Sequence, residues 1–91
     1  MWAGKSPAMK LLYFAWLRAK IGTAEETVDV PAGVTTVGHL LEWLKGRGPR
    51  FADALQDASV VRVAVNQDYV PWDHPVRPGD EVALFPPVTG G

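Results

Sequence analysis

From Lys10 to Leu17 the chain reads Lys-Leu-Leu-Tyr-Phe-Ala-Trp-Leu, apolar at odd and even positions alike. Successive side chains of a strand face opposite ways, so such a strand must be covered on both faces. The run predicts a central strand over Lys10–Leu17, and the rest of the chain has to fit around it. Gly22 closes the turn that follows. Thr27-Val28-Asp29-Val30 then alternates polar and apolar, as a half-buried strand should, until Pro31 and Gly33 end it.

The next segment is helical by spacing. Val37, Leu40, Leu41 and Leu44 fall at i, i+3, i+4 and i+7, which is one buried stripe. Thr35 or Thr36 can cap its start, and Gly46 or Gly48 can end it in a left-handed conformation. Gly38 inside it costs up to about 1 kcal/mol against Ala, which packing must offset. A shorter amphipathic turn around Phe51, Ala54 and Leu55 follows Pro49. Val60–Val65 returns to strand, Asn66-Gln67-Asp68 turns, and Tyr69-Val70 is a short strand stopped by Pro71. Pro78-Gly79-Asp80 is a second turn that delivers the last strand, Glu81–Phe85. Pro86-Pro87 then ends pairing, because proline has no N–H for the ladder.

Two hairpin-like pairs with a helix between them describe an α+β roll, the β-grasp or ubiquitin-like architecture. The expectation is a mixed sheet of four to five strands with one long helix on one face. Residues 1–8 read as a flexible extension, 9–85 as the folded domain, and 86–91 as an extended tail. Side-chain parity sorts the faces. Val28, Val30, Val61, Val63, Val65, Val82 and Leu84 go under the helix with Leu11, Tyr13, Ala15 and Leu17. Leu12, Phe14, Trp16, Ala64, Ala83 and Phe85 go to the opposite face, where little of the chain is left to cover them. A contiguous aromatic patch of that kind marks a partner surface.

Composition removes several function classes. Nine Lys and Arg against ten Asp and Glu give a net charge of −1. The basic residues are scattered from Lys5 to Arg77 without a stripe, which argues against nucleic acid. No apolar run approaches the roughly 18–20 residues of a membrane span. Met1-Trp2-Ala3-Gly4-Lys5 lacks the apolar stretch of a signal peptide, so the cytoplasm is expected. With no cysteine there is no disulfide, thiolate metal site or cysteine nucleophile. His39 and His74 are too few and too isolated for a metal centre.

The remaining candidate is Gly90-Gly91. Glycine has no Cβ, so such an end can thread a narrow channel at backbone angles closed to other residues. Its carboxylate is unhindered. It can attack the α-phosphate of ATP to give an acyl-adenylate, from which a sulfur nucleophile forms a C-terminal thiocarboxylate. A protein without cysteine can carry sulfur in this way.

Met9-Lys10-Leu11-Leu12-Tyr13-Phe14-Ala15, Leu17-Arg18 and Gly22 resemble the opening of molybdopterin synthase small subunits. Asn66-Gln67, Trp72-Asp73-His74-Pro75, Gly79-Asp80-Glu81-Val82-Ala83 and Phe85-Pro86-Pro87-Val88-Thr89-Gly90-Gly91 resemble their closing half. Trp16 and Trp43 are bulkier than the family suggests. The resemblance implies a partner in the large synthase subunit, a ubiquitin-activating-type adenylating enzyme that consumes ATP, and a persulfide sulfur donor. It implies no bound cofactor, and a substrate in cyclic pyranopterin monophosphate, which receives dithiolene sulfur. Catalytic side chains would lie on the large subunit of this sulfurtransferase. Gly91, with Gly90 behind it, would be the reacting end.

Other readings stay open beside that one. Thiamine-pathway sulfur carriers also end in Gly-Gly, but the stretch from Gly48 to Ser59 is long for them. A ubiquitin-like modifier joined to protein lysines would share fold and tail. For the partner surface, Phe14 and Phe85 are the expected anchors, with Tyr69 and Trp16 nearby. Arg18 is open to either partner contact or solvation. Asp80-Glu81 reads as a solvated turn pair or as a steering charge for the adenylating enzyme. His74, beside Pro75, reads as a turn residue.

Overall fold

The computed structural model describes residues 8–87. Met9–Tyr13 forms β1, Glu25–Val28 β2, Arg62–Val65 β3, Asp68–Tyr69 β4 and Glu81–Phe85 β5. They make one mixed sheet in the order β2-β1-β5-β3-β4. β1 lies inside the sheet, as its apolar content requires, antiparallel to β2 and parallel to β5. Three helices, α1 (Ala15–Ile21), α2 (Val37–Lys45) and α3 (Pro49–Ala54), and a 3₁₀ turn at Ala58–Val60 complete the described elements. The β-grasp roll is therefore present, with a helical layer shared among short helices rather than held by one long one.

The first strand stops four residues earlier than its composition suggests. Phe14 is still extended (φ −122°, ψ 154°), but Ala15 has φ 55° and starts a helix. From there the period is helical: Leu17 and Ile21 are buried, while Trp16 before them and Arg18 and Lys20 between them are not. An i, i+4 apolar pair with basic residues behind it and a terminal glycine is a helix ending, and the aromatic run masks it. Gly22 is that end, left-handed at φ 97°, with its N–H donating to the Arg18 carbonyl at 2.8 Å.

α2 falls on the predicted stripe, and Val37, Leu40, Leu41 and Leu44 are buried. Its first N–H groups have no intrahelical partner, and each finds one outside the helix. Val37 N–H donates to the His74 carbonyl at 3.0 Å and Gly38 N–H to the Trp72 carbonyl at 2.8 Å. His39 N–H donates to the Thr36 hydroxyl at 3.2 Å. The segment 72–75 thus caps α2 through its backbone, which is the role of His74. Gly46 ends the helix in the right-handed region (φ −81°), not the left-handed one. In the β3–β4 hairpin, Asn66 and Gln67 both have positive φ, as a tight two-residue loop demands.

Between sheet and helices lies the core, which includes Leu11, Tyr13, Leu17, Val61, Val82 and Leu84 with the α2 stripe, all at most 2% exposed. Val28 and Val30 pack against it partly buried. One polar cluster sits at its edge. The buried Tyr13 hydroxyl donates to the Glu26 carboxylate, and Arg47 pairs with the same carboxylate oxygen at 2.8 Å. The Arg47 guanidinium also lies over the rings of Phe51 and Trp43, 4.8 and 5.2 Å from their centroids. Among the described residues, no buried side-chain polar atom lacks a partner.

Burial, and after it the Glu26 carboxylate, raises the Tyr13 hydroxyl well above the usual tyrosine pKa. A raised acid binds its proton more tightly in the folded state, so its contribution is complete below about pH 10 and is lost as pH rises beyond it. Unfolding free energy is expected to fall above that pH by up to about 1.4 kcal/mol per unit. Tyr13→Phe should lose about 1–2 kcal/mol near neutrality and show a shallower alkaline fall. Urea unfolding of both proteins at pH 7 and 10.5 measures this.

Candidate functional site

The tail leaves the sheet at its centre. β5 is flanked by β1 and β3, with Leu84 level with Tyr13 and Val63, and Phe85 level with Arg62. Pro86 and Pro87 follow, half-buried and outside the sheet. Val88, Thr89, Gly90 and Gly91, the reacting end expected from the sequence, lie outside the described residues. So do residues 1–7 of the expected extension.

The side chains around this exit are largely apolar. On the open sheet face Leu12, Ala83, Ala64 and Tyr69 stand in one register row across four strands. Phe14 lies one step further toward the exit, 46% exposed, its N–H donating to the Leu84 carbonyl at 3.1 Å. Tyr69, 78% exposed, leans on Phe85 with ring centroids 5.5 Å apart. Phe14, Phe85 and Tyr69 thus stand at the exit, with Phe14 and Phe85 on the face to which parity assigns them.

Trp16 does not join them. Parity had put it on the sheet face, but the turn at Ala15 carries it onto α1, where it faces Val60 and Asp57. Ala15 itself is exposed rather than under the helix. Arg18 is exposed on the same helix. Asp80 and Glu81 stand at the opposite end of β5, about 13 Å of strand away from Phe85. Asp80 is engaged in the turn: its two carboxylate oxygens accept from Asn66 Nδ2 at 3.1 Å and from Arg77 N–H at 2.9 Å. Asn66 in turn holds Glu81, accepting its N–H at 3.0 Å and donating its own to the Glu81 carbonyl at 2.8 Å. This network fixes where β5 begins, while the aromatic group surrounds where it ends.

Among the described residues no three His, Asp or Glu side chains stand close enough to hold a metal ion. None of their helices is long and apolar enough to cross a membrane.

The sequence model of the ThiS family matches residues 11–91. The chain belongs to the ThiS family. It is 45% identical over 83 residues to the molybdopterin synthase sulfur carrier subunit of Escherichia coli, covering 91% of this chain and 99% of that one. Among solved structures, the putative molybdopterin converting factor subunit 1 of Pyrococcus furiosus superimposes with TM-score 0.73 and 34% identity. That likeness covers 91% of this chain and all of the other. Small archaeal modifier protein 1 of Haloferax volcanii gives TM-score 0.70 and 31% identity, over 90% and 99% of the two chains. The ThiS match begins in β1 and runs to residue 91, so it spans the sheet and the Gly-Gly end alike.

The exit group is expected to be dispensable for folding. Phe14→Ala should cost about 1 kcal/mol or less, as exposed substitutions do. Leu84→Ala, next in line on the buried face, should cost about 2–5 kcal/mol. Chemical denaturation of the two variants separates surface from core.

Proposed function

We propose that this protein is the sulfur-carrying small subunit of a cytosolic molybdopterin synthase, acting through the Gly91 carboxylate. An adenylating enzyme binds ATP and the tail, and a carboxylate oxygen attacks the α-phosphorus. Pyrophosphate leaves, and Gly91 becomes an acyl-adenylate. A persulfide sulfur then attacks the carbonyl carbon and expels AMP, and a thiol reduces the resulting acyl disulfide to the thiocarboxylate. In the large subunit that sulfur attacks a side-chain carbon of cyclic pyranopterin monophosphate, the new C–S bond replacing a C–O bond whose oxygen leaves, and water then cleaves the thioester to regenerate the carboxylate. A dithiolene needs two sulfurs, so each product consumes two charged tails. The protein itself binds no cofactor in this scheme, and ATP belongs to the adenylating enzyme.

The observation that carries this reading is the exit of β5, a central strand that ends beside Phe14, Phe85 and Tyr69 and is followed in the sequence by Pro-Pro-Val-Thr-Gly-Gly. The identity to a chain named as a sulfur carrier subunit, extending over nearly all of both proteins, supports the same role. So does the absence of cysteine, which leaves the terminal carboxylate as the group able to hold sulfur. The likeness to an archaeal modifier protein favours a second reading, in which the activated Gly91 carbonyl is joined to lysine amines. Pull-down from the native host under denaturing conditions separates them, since a ladder of conjugates belongs only to the modifier.

Removing Gly91, or adding one residue after it, should leave stability unchanged and abolish molybdopterin formation. Either change shifts the carboxyl carbon by about 3.3–3.6 Å, and an error of about 1 Å can already cost a hundredfold in rate. Gly91→Ala should fall between. The assay is ATP-dependent adenylation followed by sulfur transfer with purified partners. A shortened chain that still made molybdopterin at the parent rate would sink the proposal.

A further inference from the structure

At the end of the sheet away from Phe85, the chain enters β1 beside an open hollow of about 270 Å³. Buried Met9 and Val76 line it, with half-buried Val30 and Val34 and with Pro78. Asp29 and Arg77 are exposed at its rim. The lining comes from three stretches of chain: the start of β1, the connection from β2 to α2, and the turn before β5. A small-molecule site has about 300–1,000 Å³ and a few convergent polar groups. This hollow is smaller and mostly apolar, which suits one large side chain better than a ligand.

Strand register says which side chain is at hand. Met9 is level with Val28, and Lys10 with Glu81. Counted back along both registers, position 7 falls between Val30 and Pro78, two residues of the hollow. Position 7 is proline, which has no N–H to extend the ladder. The residues before Ala8 read Met-Trp-Ala-Gly-Lys-Ser-Pro. Trp2 brings the most apolar surface among them, about 150–250 Å² when buried. It stands five positions before Pro7, a reach of up to about 16–18 Å, and Gly4 between them lets the chain turn back. Lys5 is the segment's one charged side chain, opposite in sign to Asp29 on the rim.

We infer that the segment before β1 folds back onto this hollow, with the Trp2 indole seated against Val30, Val34 and Pro78 and the Lys5 ammonium beside the Asp29 carboxylate. The contact ties the start of β1 to the turn that leads into β5. Those strands are the parallel pair inside the sheet, so the segment braces their open end. Ordering it costs entropy that one indole must offset, so the net gain is small and rests on a single side chain.

Nuclear Overhauser measurements on the full chain test this directly: protons of the Trp2 indole should meet methyl protons of Val30 and Val34. Urea unfolding gives a second readout. Trp2→Ala should lower the folding equilibrium constant about fivefold, and Trp2→Phe should recover most of the loss. Asp29→Lys should lower it about twofold at low salt, and adding Lys5→Asp should restore it. If the indole meets neither valine and Trp2→Ala is as stable as the parent, the inference is overturned. Contacts found only between differently labelled copies, and growing with protein concentration, would make the occupant a second molecule and overturn it equally. Neither result bears on the sulfur-carrier role, which rests on the opposite end of the sheet.

Discussion

The parallel pairing of β1 with β5 is the constraint on which the molecule depends. It joins the start of the domain to its end, because Lys10 through Tyr13 lie level with Glu81 through Leu84. Everything between has to be laid down before that pairing can form. Once formed, it places the last strand between β1 and β3 and not at an edge. An edge strand could fray, and its tail would wander with it. A strand hydrogen-bonded on both sides opens only when the sheet opens, so the point of departure after Phe85 is as stable as the domain.

The charged and polar groups reinforce this arrangement from both ends of the sheet. At the start of β5, Asn66 and Asp80 tie the β3–β4 hairpin to the turn at Arg77–Asp80, so two loops set the register of one strand. At the helical side, Glu26 accepts from Tyr13 and Arg47 together. That joins β1, β2 and the link between α2 and α3 through one carboxylate. An ion pair this close to the core is costly to form, but here each partner has a further contact. Tyr13 meets the Phe51 ring edge-on and Arg47 lies over two aromatic rings, which offsets part of the desolvation.

Most of the fold was legible in the sequence because its elements obey simple periods. The α2 stripe at Val37, Leu40, Leu41 and Leu44 and the alternation in β3 and β5 each bury the side chains that parity selects. The failure at Lys10–Leu17 has a definite cause. Two elements of different period abut there without a polar residue or glycine between them, and Ala15 makes the turn at a φ that alanine seldom adopts. The visible signal was the Leu17–Ile21 spacing before Gly22, which the aromatic run outweighed. The same error misplaced Trp16. With Trp16 assigned to the sheet and Val60 to a strand, no groove between α1 and the 3₁₀ turn could be foreseen. The Gly-Gly end was read without any fold, from residue type and position in the chain.

In the proposed role, a chain this small serves a reaction without a catalytic side chain of its own. In that role the reacting carbon is at the end of the tail, and the residues proposed to meet partners contribute little to the core: Phe14, Trp16 and Tyr69 are all substantially exposed. The buried residues in turn lie away from the open face. Selection on stability and selection on partner choice therefore act on different positions, joined only through β5. That strand has one face in each role, with Val82 and Leu84 in the core and Ala83 and Phe85 on the open side. A substitution in β5 is the place where the two demands meet, because a change that repacks Leu84 also tilts the backbone that aims Phe85 and the tail. Elsewhere the surface is free to be reshaped for a new partner while the sheet keeps the point of departure where it is.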